Sequence, residues 1–419
     1  MGEGSADAAD ARAAAETAAR RSYGKLIAYL AAGSRDVAAA EDALADAFAA
    51  ALADWPKNGV PQAPEAWLLT AARRRAIDAA RRRRSAATGE DHLKMIADEL
   101  AEAAVDPAEI PDRRLALMFA CAHPAIDAAI RAPLILQCVL GFDAGAIGSA
   151  FLVAPTTMGQ RLVRAKTKIR EAGIPFRIPE RDDLPARLQA VLDAIYAAFA
   201  EGWSDPIGAD LRRRDLAGEA IFLGRLVVEL LPDQAEALGL LALLLHAEAR
   251  RSARRDADGG FVPLVEQPIA RWDHAMIDEA DALLTRARLS GAIGRYQLEA
   301  AVQSAHAARR HLGHSDWPAI VTLYDGLLAL TASPVVAVNR AVALAEAEDV
   351  AAGLAALDAI AADPRLTEYQ PYWAARAALL ARRGDREAAD NAYALAIGLE
   401  SDPALRDFLE RRRAVLAEP

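Results

Sequence analysis

The sequence has few of the residues that mark secreted, metal-binding or membrane proteins. Its 419 residues include two cysteines, Cys121 and Cys138, which form neither a disulfide framework nor a CxxC metal motif. No apolar run reaches the ~20 residues of a membrane span, and residues 1–20 lack the apolar core of a secretion signal. We therefore expect a cytoplasmic protein with no membrane segment.

Aromatic residues and enzyme motifs are also scarce. Aromatic residues make up 5% of the chain, and no Walker loop, dinucleotide fingerprint or GxSxG motif is present. Alanine, leucine and arginine are abundant instead, and these residues favour helices. The composition predicts an all-α protein that is not an enzyme and needs no cofactor.

Charge is distributed unevenly along the chain. The net charge is −10, yet residues 1–180 hold 23 basic and 23 acidic side chains, so the excess of acid lies entirely in the remainder. Within the balanced part, residues 67–84 carry a net +6 and residues 155–170 a net +5. Local potential decides whether a polyanion binds, so these two stretches are candidate nucleic-acid contacts.

The first cationic stretch reads WLLTAARRRAIDAARRRR. At 100° per residue, one face of the predicted helix is apolar: Leu69, Ala72, Ala76, Ala79 and Ala80. The opposite arc holds Trp67, Arg74, Arg75, Asp78, Arg81 and Arg82. An exposed indole beside guanidinium groups can stack on an unpaired base while the arginines bind phosphates. A solvated arginine face, with Trp67 turned into the core, is the alternative interpretation.

An acidic helix is predicted just before this stretch. Its carboxylates are Asp36, Glu41, Asp42 and Asp46, and its apolar stripe comprises Val37, Leu44, Phe48 and Leu52. The carboxylates lack histidine or cysteine ligands beside them, so a solvated or partner-binding face is favoured over a metal site. Three prolines and a glycine then predict a loop, with the next helix beginning near Pro64.

The second cationic stretch has the pattern of a helix-turn-helix. In GFDAGAIGSAFLVAPTTMGQRLVRAKTKIR we predict a helix over 146–151, a turn over 152–154 and a second helix from Pro155. Its apolar stripe is Met158, Leu162, Ala165 and Ile169, and its polar side is Thr157, Gln160, Arg161, Arg164, Thr167 and Lys168. A recognition helix in a DNA major groove has this layout, although a plain helical hairpin shares it.

Two blocks of the sequence resemble the extracytoplasmic-function (ECF) sigma factors, the promoter-recognition subunits of bacterial RNA polymerase. AAEDALADAFAAAL and W-L-x-x-A-A-R-R-x-x-x-D-x-x-R-R match one part of that family, and A-I-x-x-A-F-L-V-x-x-x-T-M-x-x-R-L-x-R-A matches its recognition motif. Arg74 stands where the family usually has asparagine. The resemblance implies a core- and promoter-binding domain over 1–84, a linker over 85–111 and a helix-turn-helix domain over 112–175.

The resemblance also implies roles for particular residues. RNA polymerase core would bind the acidic helix through Asp36, Glu41, Asp42, Asp46 and Phe48. Promoter DNA would contact the two cationic helices through Trp67, Arg74, Arg81, Arg82, Thr157, Gln160, Arg161, Arg164 and Lys168. Asp78 would border the same melted element, and residues 55–63 would capture a flipped base.

The remainder of the chain resembles the subgroup of these sigma factors with a tetratricopeptide-like (TPR-like) helical extension. The matching segments include YAAFAEGW, RWDHAMIDEADALL and SPVVAVNRAVALAE. Helices are predicted over 184–203, 212–231, 234–254, 272–289, 294–311 and 316–331. A 34-residue period relates Ala343, Ala355 and Ala362 to Ala377, Ala389 and Ala396. We expect a TPR-like domain over 184–419 whose acidic surface modulates activity, with a hypothetical contact to the chain's own cationic helices.

Other chemistry is less well supported by the sequence. His306, His311, His314 and Asp316 cluster in sequence, but structural or surface histidines are favoured over metal ligands. Cys121 and His123 are too close in sequence to face each other as a nucleophile pair. The alternative function is a free-standing helix-turn-helix regulator with a peptide- or signal-binding domain, and the acidic helix before Trp67 favours the sigma factor.

Overall fold

The computed structural model consists of helices joined by turns and loops, with no β-strand in the part of the chain that it describes, which confirms the predicted all-α class. Contacts divide the chain into two compact units, Met1–Ala198 and Phe199–Pro419. Within the described ranges, an isolated bridge between Arg255 and Phe261 is the only β-type pairing, and no helix is long and apolar enough to cross a membrane. The described residues are 11–15, 17–19, 22–23, 26–27, 30, 37–84, 113–171, 179–203 and 211–417.

In the first unit, the described residues between 11 and 30 are helical, and six helices with described bounds and the greater part of a seventh follow them. They are α1 (Val37–Asn58), α2 (Pro64–Arg84), α3 (Arg113–Cys121), α4 (Ala128–Cys138), α5 (Ala144–Ala150), α6 (Pro155–Glu171) and α7 (Leu184–Trp203). Proline suits the first positions of α2 and α6, because its missing N–H would have no partner there. Asp127 and Asp143 accept backbone N–H groups at the starts of α4 and α5, as good N-cap residues do.

Helices α1 and α2 pack against each other around Trp55, Leu44 and Leu68, which are fully buried. The apolar faces predicted from the sequence for these two helices are partly wrong. Leu68 occupies the buried position expected for Leu69, which is half-buried, and Leu52 is 49% exposed. Alanines on both sides of each helix leave the apolar stripe poorly defined in the sequence, and the larger side chains decide which face turns inward.

The second unit is built around helix α9 (Ala235–Glu248). Its residues from Ala237 to Leu245 are all buried, as expected for a helix surrounded by others. The flanking helices are α8 (Leu211–Leu230), α10 (His274–Arg288) and α11 (Arg295–Ala307). The prediction of a helix to residue 254 is wrong, since α9 ends at Glu248 and three short 3-10 turns follow before α10.

The remaining helices follow one another along the chain, and the last five share one apolar core. They are α12 (Arg309–Leu312), α13 (Trp317–Thr331), α14 (Pro334–Ala347), α15 (Val350–Ile360), α16 (Gln370–Arg383), α17 (Arg386–Leu399) and α18 (Pro403–Ala414). Pairs α14/α15 and α16/α17 repeat with an offset of 36 residues, because they begin at residues 334 and 370 and at 350 and 386.

The predicted 34-residue register is therefore wrong in this part of the chain. Ala355 is exposed, whereas its supposed counterpart Ala389 is fully buried. The residue equivalent to Ala389 is Gly353, where an added Cβ would lie 2.6 Å from the Ala345 side chain and 2.8 Å from the Ala341 carbonyl oxygen. Close packing of two helices requires a small residue at this position, and the many other alanines mask it in the sequence.

Candidate nucleic-acid interface

Helix α2 presents three consecutive arginines to solvent. Arg73, Arg74 and Arg75 are exposed, while Ala72 on the opposite face is fully buried. Trp67 is half-buried and lies edge-on to Trp55, with ring centroids 5.5 Å apart. Trp67 is thus anchored to the α1/α2 core but keeps part of its ring exposed beside the arginines. Asp78, Arg81 and Arg82 continue the helix, but their side chains lie outside the described residues.

The acidic residues of α1 have different environments. Asp42 and Asp46 are exposed, and Asp46 pairs with Arg75 of α2 at 3.3 Å. Glu41 is mostly buried and forms an ion pair with Lys166 of α6. Phe48 is half-buried, and Asp36 lies outside the described residues. Asp42 and Asp46 are therefore the carboxylates on this helix that a partner can reach most directly.

The turn between α5 and α6 is tight. Asp143 accepts hydrogen bonds from the backbone N–H groups of Gly145 and Ala146 at 2.8 and 2.9 Å, which fixes the start of α5. At Gly148, an added Cβ would lie 2.5 Å from the Val153 carbonyl oxygen. Leu152 has a φ of +54°, in the left-handed region. The first helix begins two residues earlier than predicted, and the second begins at Pro155 as predicted.

Helix α6 separates a buried stripe from a cationic face. Met158 and Leu162 are buried, whereas Ala165 and Ile169 are half-buried. The exposed face consists of Gln160, Arg161, Val163, Arg164 and Lys168, and Thr157 is half-buried at its edge. The structure therefore places the predicted DNA-contacting residues of α6 on one continuous surface.

Val163 is an addition to the residues identified from the sequence. Its side chain is 66% exposed between Arg161 and Arg164. An apolar side chain in a major groove can contact a thymine methyl group. In the sequence, the signal for this contact is a β-branched residue, Val163, that lies outside the apolar stripe of a cationic helix.

The helix-turn-helix and the acidic helix also contact each other within the first unit. Lys166 of α6 pairs with Glu41 of α1, and the two side chains are 24% and 13% exposed. Burial lowers the pKa of Lys166, but Cys138 and Glu41 raise it by more. Tyr23 packs on the turn at Gly141, its ring 3.3 Å from the position of an added Cβ. Burial, together with Glu41 and Cys138, raises the pKa of Tyr23.

The cysteine and histidine candidates lie in different environments in the described part of the chain. A hydrogen bond with Cys121 and, to a smaller extent, burial raise the pKa of the Cys138 thiol. The thiol therefore stays protonated at neutral pH. The Nδ1 atom of His123 accepts a hydrogen bond from the Ala125 N–H at 3.1 Å, in a turn after α3. His306 is buried, and His311 and His314 are exposed. No three metal-binding side chains converge among the described residues.

Family comparison agrees with this arrangement at the N-terminus. Residues 19–86, which include α1 and the arginine face of α2, match the Sigma-70 region 2 family. The chain therefore carries a sigma-70 region 2 domain, which supports a place in the sigma-70 family. Residues 187–288 match a second model, described as a family of unknown function (DUF6596), which spans most of α7 and all of α8 to α10.

One relative matches almost the whole chain. The protein is 38% identical over 395 residues to "Uncharacterized protein R00370" of Rhizobium meliloti (strain 1021), and the match covers 92% of this chain and 93% of the relative. The two proteins belong to one family. No solved structure matches the chain. The sigma-70 region 2 match supports a sigma-factor-like role in transcription initiation, and helices α5 and α6 lie outside both matched segments.

Proposed function

We propose that this sigma-70 family protein is an ECF-type sigma factor that binds RNA polymerase core and directs it to promoters. The observation that carries the proposal is one chain with two separate cationic surfaces. One is the exposed Arg73–Arg75 face of α2, inside the region 2 match, and the other is the exposed face of α6. Two DNA contacts joined by one chain gain affinity through effective concentration.

Each surface has a role in the proposal. The acidic side of α1 binds the polymerase core through Asp42 and Asp46, which are exposed. Trp67 and the arginines of α2 hold the melted strand, by stacking and by phosphate contacts. Helix α6 lies in the major groove of the distal promoter element, where Gln160 and Arg161 contact base edges and Arg164 and Lys168 contact phosphates.

The C-terminal helices form a TPR-like modulating domain in this proposal. Paired helices with a regular offset and small residues at their crossings support it, as does the continuous core under α14 to α18. The domain lies in the acidic part of the chain and therefore suits a basic partner surface. In this proposal, one such partner surface is formed by the chain's own cationic helices. The proposal also places the activity of the protein in the cytoplasm.

Capture of RNA polymerase core by the purified chain separates a sigma factor from a free-standing regulator. We expect the wild-type protein to bind core directly and the Asp42→Arg/Asp46→Arg variant to lose this binding by more than tenfold. The Glu368→Arg variant alters an exposed carboxylate of the second unit and serves as the charge control. Failure of the wild-type chain to bind core would refute the proposal and favour the free-standing regulator.

A further inference from the structure

Four arginines lie within a stretch of six residues shortly after the end of α9, and one of them stacks on an indole ring. They are Arg250, Arg251, Arg254 and Arg255. The Arg254 guanidinium lies 3.7 Å from the centroid of the Trp203 ring, and its Nη1 donates to the Trp203 carbonyl at 2.7 Å. We call these four arginines and Trp203 the arginine cluster. All five residues belong to the second unit and to the segment that matches the family of unknown function.

Part of the cluster's hydrogen-bonding capacity serves the fold. Arg250 donates to the His246 carbonyl and to the Gln303 side chain, and this accounts for its burial. Arg251 Nε donates to both carboxylate oxygens of Glu248, at 2.7 and 2.8 Å, and its Nη1 donates to the Gly202 carbonyl at 3.3 Å. These bonds hold the guanidinium groups in fixed positions after the helix ends.

Several donors of the cluster are left over. Among the described residues, Arg251 Nη2, Arg255 Nη1 and Trp203 Nε1 are buried and have no hydrogen-bond partner. Buried N–H groups without partners are rare in folded proteins, because each one loses its hydrogen bonds to water. The cluster therefore presents donors that its own surroundings do not satisfy.

The cluster also carries more positive than negative charge. Its four guanidinium groups are accompanied by two carboxylates, Glu248 and Asp402, and Asp402 pairs with Arg255. Burial lowers the pKa of Arg254 to about 10, and Arg255 and Arg251 add to the shift. Burial likewise lowers the pKa of Arg250 to about 10, with Arg254 and Arg309 contributing. A negatively charged group at this position would relieve both the repulsion and the unpaired donors.

We propose that the arginine cluster binds a doubly charged phosphate group of a small molecule, either inorganic phosphate or a phosphate monoester. The local excess of positive charge suits a dianion, and planar N–H pairs on guanidinium groups suit phosphate oxygens. Arg251 and Arg255 are about three-quarters buried, which favours a small ligand over a polymer backbone. Arg254 covers one face of the Trp203 ring, so that ring is a wall of the site and not a platform for a base.

Isothermal titration calorimetry on the full-length protein tests this site. The titrants are sodium phosphate, methyl phosphate and sodium sulfate, with sodium chloride at matched ionic strength as the monovalent control. We expect one binding site in the second unit that takes the dianions and not chloride. A methyl phosphate affinity equal to or tighter than that of phosphate identifies a monoester as the natural ligand class, and a much weaker one identifies free phosphate.

Variants that are expected to weaken or to strengthen phosphate binding make the test specific. Arg255→Gln should weaken phosphate binding about tenfold, roughly 1.4 kcal/mol, because it removes an unpartnered donor and a charge. Asp402→Asn should strengthen binding, since it frees Arg255 and can still accept the Ala404 N–H at 2.9 Å. Arg288→Gln removes an exposed arginine elsewhere in this unit and should have no effect. Circular dichroism establishes that each variant is folded.

The contradicting results are equally clear. No dianion-specific heat with the folded wild-type protein overturns the proposal. So does binding that Arg255→Gln leaves unchanged, because the phosphate would then occupy another surface. Because transcription is not part of this measurement, its outcome is independent of the proposed sigma-factor activity.

Discussion

Lys166 of helix α6 and Glu41 of the acidic helix α1 form an ion pair that is largely shielded from solvent. The pair connects the surface proposed to bind DNA with the surface proposed to bind polymerase. Glu41 cannot meet an external partner while it holds Lys166. Within the first unit, Tyr23 packed at Gly141 adds a second contact with the helix-turn-helix.

Replacing Lys166 should therefore destabilise the first unit. Lys166→Met keeps the aliphatic stem but leaves the carboxylate of Glu41 mostly buried without its cation, and we expect a loss of about 1–3 kcal/mol. Urea unfolding followed by circular dichroism measures the change. Lys168→Met removes an exposed lysine of the same helix and should change stability by less than about 0.5 kcal/mol. An equal effect of both substitutions would show that the pair contributes nothing.

The stability of the second unit should fall on acidification because of His306. Burial, with Arg250 and Arg309 adding to it, lowers the pKa of His306 to about 4. The unfolded chain binds that proton below about pH 6.5, whereas the folded protein binds it only below about 4. Above pH 6.5 His306 therefore does not reduce the free energy of unfolding. As the pH falls from 6.5 towards 4, the free energy of unfolding decreases by up to about 3 kcal/mol.

His306→Gln should flatten this pH dependence. The measurement is the free energy of unfolding from urea titrations at several pH values between 4 and 7. His314→Gln removes an exposed histidine and should leave the wild-type dependence unchanged. A His306→Gln profile as steep as that of the wild-type protein would assign the acid sensitivity to other groups.

Gly148 should be essential for the turn before helix α6. In Gly148→Ala the new methyl group would meet the Val153 carbonyl oxygen at 2.5 Å, a distance that only a backbone shift can relieve. We expect the loss of promoter-specific binding and a destabilisation of about 1–3 kcal/mol. Gly159→Ala is the matched control on α6, where the added methyl group meets Ala144 at an ordinary 3.7 Å.

The two glycine variants should therefore change the stability of the protein in opposite directions. Gly159→Ala should be neutral or more stable by up to about 1 kcal/mol, because alanine favours the helix over glycine. Thermal unfolding and electrophoretic mobility shifts with promoter DNA report both effects. A Gly148→Ala protein with unchanged stability and unchanged DNA binding would contradict the tight-turn geometry.

Arg164 and Gln160 should affect DNA binding in different ways. Arg164→Ala removes a phosphate contact, so the slope of log affinity against log salt should fall by about 0.9 for any sequence. Gln160→Ala should instead reduce the discrimination between promoter and altered sites by about 1–3 kcal/mol. Fluorescence anisotropy at several salt concentrations separates these effects, with Arg288→Ala as the control. If both variants changed the salt slope and the sequence discrimination to the same extent, the assignment of Arg164 to phosphates and Gln160 to bases would be refuted.

Local sequence patterns predicted the boundaries of many helices. Helix α7 runs from Leu184 to Trp203, as its apolar periodicity indicates, and α6 begins at Pro155, where proline is most compatible with a helix. These features depend on residues near one another in the chain. The cationic face of α6 was predictable for the same reason, because charge and apolar spacing are written into one helix.

Long-range features could not be predicted in the same way. The pairing of Lys166 with Glu41 joins residues 125 positions apart, and no periodicity encodes it. Helix α9 was expected to continue through its arginines, which favour helices, but Arg250 instead bonds the His246 carbonyl as the chain leaves the helix. The repeat register was wrong because alanine is so abundant that the one decisive small residue, Gly353, was hidden among many.

A reconstituted transcription reaction tests the central claim most directly. Purified chain, RNA polymerase core and a promoter template selected from the protein's own transcription targets would be assayed for run-off RNA. We predict RNA from a defined start site with the wild-type protein and its loss with Arg161→Ala/Arg164→Ala. Promoter-specific RNA that is equal in the presence and absence of the wild-type chain would contradict the account.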